Sequence, residues 1–353
     1  MRMSFVSLFI FLFLFWRLRD YMTPFQEVAR IIGSTWIAVT LSYALSRFVW
    51  ARVFVTEVSG EGKAVPITGC DTGFGNRLVK RLFRKGLLVF ASCLHFNSPG
   101  ANELKSFSNV SVLELDGTKQ EQVDKAFITI KKHLGRRELW AVVANAGIGS
   151  IGLLEWLTMD TVVDVFNVNV FGVLRVAKKF LPLLKKSKGR LVTIASPLGH
   201  FTVPMSVPYC MSKHAVVSMM DGLRRECRGK GVDFVTVEPS AYRTAIFKTD
   251  STPMDTVMRD FKQQDPEAVA DYSDQDIKDW IETNQRVFDA FIREDPEEGV
   301  DVIEKAVRET YPKDLYRSPV GRDTPYIFFE TTLPRDVSDS LSAFMRKFQL
   351  MMK

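Results

Sequence analysis
The sequence predicts an α/β fold: a doubly wound parallel sheet, preceded by N-terminal membrane helices and followed by a C-terminal helical lid. Three observations carry the prediction. From residue 63 onward, apolar runs of five or six residues alternate with longer amphipathic segments, the rhythm of buried parallel strands joined by helices. A glycine-rich stretch, TGCDTGFG, lies directly between the first such run and the first helical pattern. Two strongly apolar stretches stand ahead of all this.

The first apolar stretch, residues 4–16 (SFVSLFIFLFLFW), is short for a bilayer core. It reads as a thin span, an interfacial helix or the apolar part of a signal peptide. The sequence WRLRDYMTPF that follows contains no small-x-small site, which counts against cleavage. The second stretch, residues 31–50, has the roughly 20 residues that a helix needs to cross about 30 Å of hydrocarbon. Arg47 lies near its end and can snorkel to the interface. The alternative is a buried hairpin capping the soluble part, a poor fit for so many Phe and Leu side chains. Arg17, Arg19 and Arg30 between the stretches nearly balance Arg47, Arg52 and Lys63 after the second, so loop charge assigns no orientation.

In the soluble part the expected strands are 64–68 (AVPIT), 87–92 (LLVFAS), 111–115 (SVLEL), 139–144 (LWAVVA), 190–195 (RLVTIA) and 232–237 (VDFVTV). Helical patterns lie near 74–85, 119–133, 160–186 and 206–229. Right-handed crossovers between such strands give the dinucleotide-binding type of doubly wound sheet. Pro66 falls inside the first strand and removes one ladder donor. After Pro239 the rhythm stops. Residues 246–300 are acidic and helical, and the lid expected over the carboxyl ends of the strands falls there. Residues 315–320 (LYRSPV) are a candidate edge strand. The apolar tail from Tyr326 is open to three readings: substrate entrance, membrane contact or core packing.

The net charge of +6 comes from basic residues scattered among acids, as in RRECRGK. That is a solvated surface rather than a nucleic-acid footprint, and no nucleic-acid partner is expected. Cys70, Cys93, Cys210 and Cys227 lie far apart without metal-ligand spacing. They read as free buried thiols, and no metal is expected.

The chemistry-bearing residues fall at strand ends. In Thr68-Gly69-Cys70-Asp71-Thr72-Gly73-Phe74-Gly75, Gly69 permits a tight turn, Gly73 lets backbone approach a pyrophosphate, and Gly75 lets the helix pack on the strand. The free N–H groups of that helix then face the anion. Strand 139–144 runs into Asn145-Ala146-Gly147, small residues that suit a ribose or nicotinamide, or simply a tight turn. Asn169 lies within a helical pattern, a position of poor propensity that needs a reason. Strand 190–195 delivers Ser196, and Tyr209 and Lys213 follow at i and i+4, on one helix face. A free phenol has a pKa of about 10, and a neighbouring ammonium favours the phenolate. Ser196 can donate to the reacting oxygen.

Taken together, TGCDTGFG, ANAG, NVNVFG, the serine of IAS, YCMSK and VEPSAYRT resemble the motifs of the short-chain dehydrogenase/reductase family, in its order and spacing over about residues 63–250. The phrases NSPGANEL, LWAVVANAG and LPLLKKSKGRLV are similar to one branch, which holds the type 2 17β- and 11β-hydroxysteroid dehydrogenases, the retinol dehydrogenases and D-β-hydroxybutyrate dehydrogenase. The resemblance implies a Rossmann-like fold and an NAD(P)-dependent enzyme acting on CH–OH groups. It makes Tyr209 the catalytic acid/base and Lys213 the residue that lowers its pKa and holds the nicotinamide ribose. It also implies that Ser196 stabilises the reacting oxygen and that Asn169 keeps a proton-relay water near Lys213. Asp116 would meet the adenine and Thr244 the carboxamide, with Gly69, Asp71, Gly73, Phe74, Gly75, Asn145, Ala146, Gly147 and Pro239 around the cofactor.

Some positions depart from that pattern. Ala144 stands where the family commonly has asparagine. Ser240 replaces a glycine and would crowd the nicotinamide, and Pro197 pins Ser196 towards extended backbone. The strand-end reading for the cofactor finds neither arginine nor lysine for a 2′-phosphate. It finds no acid for a ribose either, since His95 stands there. The branch favours NAD, which is the expected cofactor. His200 reads as a satisfied loop histidine without a role.

The expected organisation is an anchor over residues 1–55, a catalytic domain over 60–325 and an amphipathic tail over 326–353. The expected function is hydride transfer between NAD and a secondary alcohol or ketone of a lipophilic small molecule, a steroid or retinoid. Membrane lipid and a homodimer partner are expected, with the endoplasmic reticulum preferred over mitochondria because residues 4–16 are too apolar for a typical transit peptide. The rival readings are a D-3-hydroxybutyrate-type hydroxy-acid dehydrogenase and an inactive nucleotide-binding scaffold.

Overall fold
The computed structural model describes residues 5–18, 23–54, 56–244, 246, 253–321 and 324–340. The chain divides after Thr56 into two compact units. The first consists of two helices, α1 (Phe5–Leu18) and α2 (Thr23–Val53). Within α2, Gln26–Trp50 is long and apolar enough to cross a bilayer. This span starts before the sequence-predicted 31–50 because an α-helix continues through polar flanks. Large apolar side chains along it, among them Ile32, Trp36 and Leu41, are exposed.

The second unit holds the sheet. Its strands are β1 (Lys63–Thr68), β2 (Leu88–Cys93), β3 (Val110–Glu114), β4 (Glu138–Leu139), β5 (Ala141–Ala144), β6 (Arg190–Ile194), β7 (Asp233–Glu238) and β8 (Leu315–Arg317). Its helices are α3 (Gly73–Arg84), α4 (Pro99–Leu104), α5 (Gln120–Leu134), α6 (Met159–Phe166), α7 (Val173–Ser187), α8 (Val207–Glu226), α9 (Pro253–Phe261), α10 (Asp274–Phe291), α11 (Glu297–Arg308) and α12 (Thr324–Thr332). The strand order is β3-β2-β1-β5-β6-β7-β8, all parallel, with β4 also on β1. This is the doubly wound sheet expected from the rhythm of the sequence.

Alternation along the strands divides the core. Val65 and Ile67 of β1 and Val89 and Ala91 of β2 face one apolar cluster with α3 and α11. Ala64 and Phe90 face the other, with α5, α7 and α8. A third cluster, around Trp156, Val257 and Ile277, lies under α9 and α10.

Two elements differ from their sequence-predicted form. The single strand expected at 139–144 is split at Trp140. Pro66 explains this: it lies two residues from Ala64, whose carbonyl accepts Trp140 N–H, so its missing donor falls on the same side of β1, where the ladder lapses. The helix expected over 160–186 is α6 and α7 joined by a π-helical turn, Asn167–Gly172. The turn carries Asn169, and it supplies the reason for an asparagine in mid-helix.

Candidate active site
Adjacent strands β1, β5, β6 and β7 deliver Thr68, Asn145, Ser196 and Pro239 at their carboxyl ends. Between β1 and β5 the strand order reverses, and that is where doubly wound sheets open a crevice. A cavity of about 690 Å³ lies there and runs from Asp116 past the glycine turn to Tyr209 and Lys213.

The glycine turn is built as its residue types require. Gly69 and Gly73 have φ of +70° and +61°, a region costly for side chains. A Cβ on Gly75 would lie 2.3 Å from Gly69 O, so only glycine lets α3 start against the strand. A Cβ on Gly73 would meet nothing closer than 3.8 Å. Thr72, at the N-cap of α3, makes no side-chain cap. This leaves free donors at the helix start beside open space, and a cofactor pyrophosphate fits there.

Thr68 was missed at the sequence level. Its hydroxyl accepts the N–H groups of both Asn145 and Ala146 at 3.0 Å. Asn145 Nδ2 returns bonds to Thr68 O at 2.8 Å and Gly69 O at 3.0 Å. The two strand ends are thereby locked to each other. Asp71, expected beside the cofactor as part of the glycine turn, has a carboxylate that reaches the end of β2. It accepts Leu94 N–H at 2.8 Å, His95 N–H at 3.2 Å and the Ser98 hydroxyl at 2.9 Å. An acid therefore stands at the strand end after all, supplied by a different segment. Asp116 lines the cavity, with Oδ1 held by Thr118 N–H and hydroxyl at 2.9 and 2.7 Å. Phe74, Gly147, Pro239 and Thr244 line it as well, Phe74 lying edge-on to Tyr242.

Ser196 is extended at φ −169° and ψ 156°, as a residue before proline should be. Its hydroxyl hydrogen-bonds the Tyr209 phenol. Burial pushes the Tyr209 pKa up, with the Ser196 bond pulling the other way. The lowering expected from the neighbouring ammonium does not offset burial, and Lys213 is itself desolvated, its pKa falling to about 8. Lys213 Nζ donates to Ile194 O at 2.9 Å and lies 5.4 Å from the Tyr209 ring centroid. Asn169 is fully buried. Its Oδ1 accepts Ile148 N–H at 2.9 Å, while Nδ2 donates to Ile148 O at 2.9 Å and Ser212 Oγ at 3.0 Å.

Ser240 does not crowd the site through its backbone. It is not among the positive-φ residues, and its N–H donates to Ser318 Oγ at 2.9 Å. His200 is satisfied, with Nε2 at 2.5 Å from the buried Glu238 carboxylate. The four cysteines are free and buried. Met205, at φ +66° and almost fully buried on the cavity wall, is a strained position with no local signal in the sequence.

A glycine turn at the switch point of a doubly wound sheet, with serine, tyrosine and lysine on the next strand and helix, defines a dinucleotide-binding protein of the Rossmann type. The family model for short chain dehydrogenases matches residues 63–255, and the chain belongs to that family. The D-beta-hydroxybutyrate dehydrogenase of Rattus norvegicus mitochondria is 38% identical over 217 residues, 60% of this chain and 63% of that protein. The chain thus spans a little under two thirds of that relative. The 17-beta-hydroxysteroid dehydrogenase type 6 of Bos taurus is 33% identical over 320 residues, 86% of this chain and 95% of that protein. A short-chain dehydrogenase from Streptomyces avermitilis shares the fold at a TM-score of 0.61 and 20% identity, over 84% of this chain and 98% of that one. The family and branch resembled by the motifs are those the comparisons return.

Proposed function
We propose that this chain is a membrane-anchored oxidoreductase that moves hydride between NAD and a secondary alcohol or ketone of a lipophilic substrate, a steroid or retinoid. The observation that carries this reading is the wall around the catalytic cluster. Beside Ser196, Tyr209 and Lys213 stand Phe201, Val203, Met205, Phe288 and Tyr326, and Lys213 is the one cationic side chain among the described lining residues.

The cofactor, when bound, supplies or accepts the hydride. The chain's own groups hold the substrate oxygen and move its proton. Burial keeps the Tyr209 phenol protonated, ready to donate to a carbonyl oxygen that Ser196 also contacts; oxidation runs the same proton back. Lys213 has three N–H donors and spends one on Ile194 O, leaving two for ribose hydroxyls and a relay water. A point beside Gly147, where a Cβ would stand, is 3.3 Å from Asn169 Oδ1 and 3.6 Å from Lys213 Nζ. A water held between Asn169 Oδ1 and Lys213 Nζ would bridge the two and pass the proton on.

NAD is favoured over NADP by Asp71, whose charge opposes a 2′-phosphate at the end of β2. The apolar Gln26–Trp50 span supports the membrane anchor, and the endoplasmic reticulum is the proposed location, with mitochondria as the alternative. Within the predicted 246–300 segment, α10 lines the cavity and acts as its lid. Oxidation of a hydroxybutyrate-type acid is the second reading, suggested by the Rattus norvegicus relative. It needs a cation for the carboxylate, and Lys213 is already committed to the catalytic cluster. Pro197 and Ser240, the departures that would favour an inactive scaffold, displace no reacting group.

Purified full chain with NAD or NADP and a panel of steroids, retinol and 3-hydroxybutyrate tests the proposal. Turnover of a steroid or retinol with NAD, abolished in Tyr209→Phe, is the expected result. Turnover of 3-hydroxybutyrate alone, or none at all, would sink it. Carbonate extraction and organelle markers on the expressed chain test the anchor.

A further inference from the structure
Helix α10 is anchored at its start and along one face. Ser273 and Asp276 form a capping box at its start, and Ile277 and Ile281 bury into the cluster around Trp156. A second face of the same helix lines the cavity through Trp280, Thr283, Asn284, Phe288 and Phe291, at helical spacings of three, one, four and three. Three of these are aromatic and belong on an apolar wall. Thr283 and Asn284 do not.

Their polar atoms are uncommitted. Other helical threonines, Thr40, Thr129 and Thr331, return their hydroxyls to the carbonyl four residues back, at 2.8, 2.9 and 2.7 Å. Exposed amides on α10 pair at i and i+4, Gln275 with Asp279 and Gln285 with Asp289. Among the hydrogen bonds of the described residues, none uses the Thr283 hydroxyl or the Asn284 amide. Both side chains are half-buried at the cavity, on a helix that carries none of the reacting groups. Polar groups placed on an otherwise apolar pocket wall fix the orientation of a ligand.

We infer that Thr283 and Asn284 hydrogen-bond a second oxygen of the substrate, remote from the one that reacts, so that the cavity selects lipophilic alcohols oxygenated at two positions. This rests on the proposed function for the reacting end. It adds a contact to the far part of the same molecule, which Asn284 recognises as donor or acceptor and Thr283 supports.

Calorimetry on the NAD-saturated full chain tests it without requiring turnover. The probes are a steroid diol hydroxylated at both ends and the monohydroxy steroid that lacks the remote hydroxyl. The diol should bind about five- to tenfold more tightly, the worth of one neutral hydrogen bond. Asn284→Leu and Thr283→Val should narrow that ratio towards one without weakening the monohydroxy steroid, and Thr283→Ser should preserve it. Equal affinities in the parent chain, or an unchanged ratio in both variants, overturns the inference. A preserved binding difference without turnover of either steroid removes the proposed chemistry and leaves the second contact standing.

Discussion
Asn169 and Ile148 hold each other by two hydrogen bonds, Ile148 N–H to Asn169 Oδ1 and Asn169 Nδ2 to Ile148 O, both at 2.9 Å. The pairing copies a rung of sheet ladder between a π turn and the loop after β5. It fixes the loop that carries Gly147 beside Lys213. Asn169→Ala leaves both Ile148 groups without a partner. Unfolding stability should fall by about 2–3 kcal/mol, read from denaturant midpoints at unchanged m-value.

The space beside Gly147 makes a separate prediction. Gly147→Ala places a methyl 3.3 Å from Asn169 Oδ1 and 3.6 Å from Lys213 Nζ, which presses on Asn169 and crowds out a water bridging the two. Turnover should fall by about tenfold or more with cofactor affinity nearly unchanged. A kcat equal to that of the parent chain would remove the relay.

Tyr209→Phe keeps the ring and deletes the proton. We expect kcat lower by about 10²- to 10⁴-fold, with steroid and NAD dissociation constants within about twofold of the parent chain. Binding lost together with rate would mean that the phenol serves to hold the substrate instead.

Lys213 costs the fold stability in a definite pH window. Its pKa is about 8 in the folded chain and about 10.4 when unfolded. Between these values the unfolded chain binds more protons, so this group's contribution makes stability rise with pH across the window. Below pH 8 the penalty of burying the ammonium is present in full. Lys213→Met should therefore be inactive yet more stable at pH 7, by about 2 kcal/mol after allowing for the lost bond to Ile194. The difference should shrink as pH rises towards 10. Thermal melts at pH 7 and 10 check the sign.

Asp71→Asn retains a hydrogen-bond acceptor for the strand-end amides and removes the charge. NADP affinity should rise about tenfold while NAD affinity changes little. Fluorescence titration with both reduced cofactors reads the ratio. Unchanged selectivity would place the determinant elsewhere.

Much of the fold was legible before any coordinate. The six apolar runs marked the strand stretches to within one or two residues, because burial on both faces of a parallel sheet demands continuous Val, Ile and Ala. The edge strand near 315 and the pairing of Tyr209 with Lys213 were equally local signals. The short helix α4 was not seen, since six residues carry too little periodicity. Trp140 splitting a strand and the π turn at Asn169 also went unseen, because each depends on what the neighbouring chain supplies.

The sequence by itself determined the local geometry of the chemistry: a glycine turn at the first strand end, a serine before proline and a tyrosine one helical turn ahead of a lysine. Each follows from backbone sterics or helical spacing within a few residues. Tertiary structure alone decided that Asp71 crosses to the end of β2, that Thr68 bolts two strands together and that burial outweighs Lys213 at the Tyr209 phenol. It also decided that Thr283 and Asn284 face the cavity. These depend on which distant segments pack together and how much water they exclude, and no window of sequence contains that.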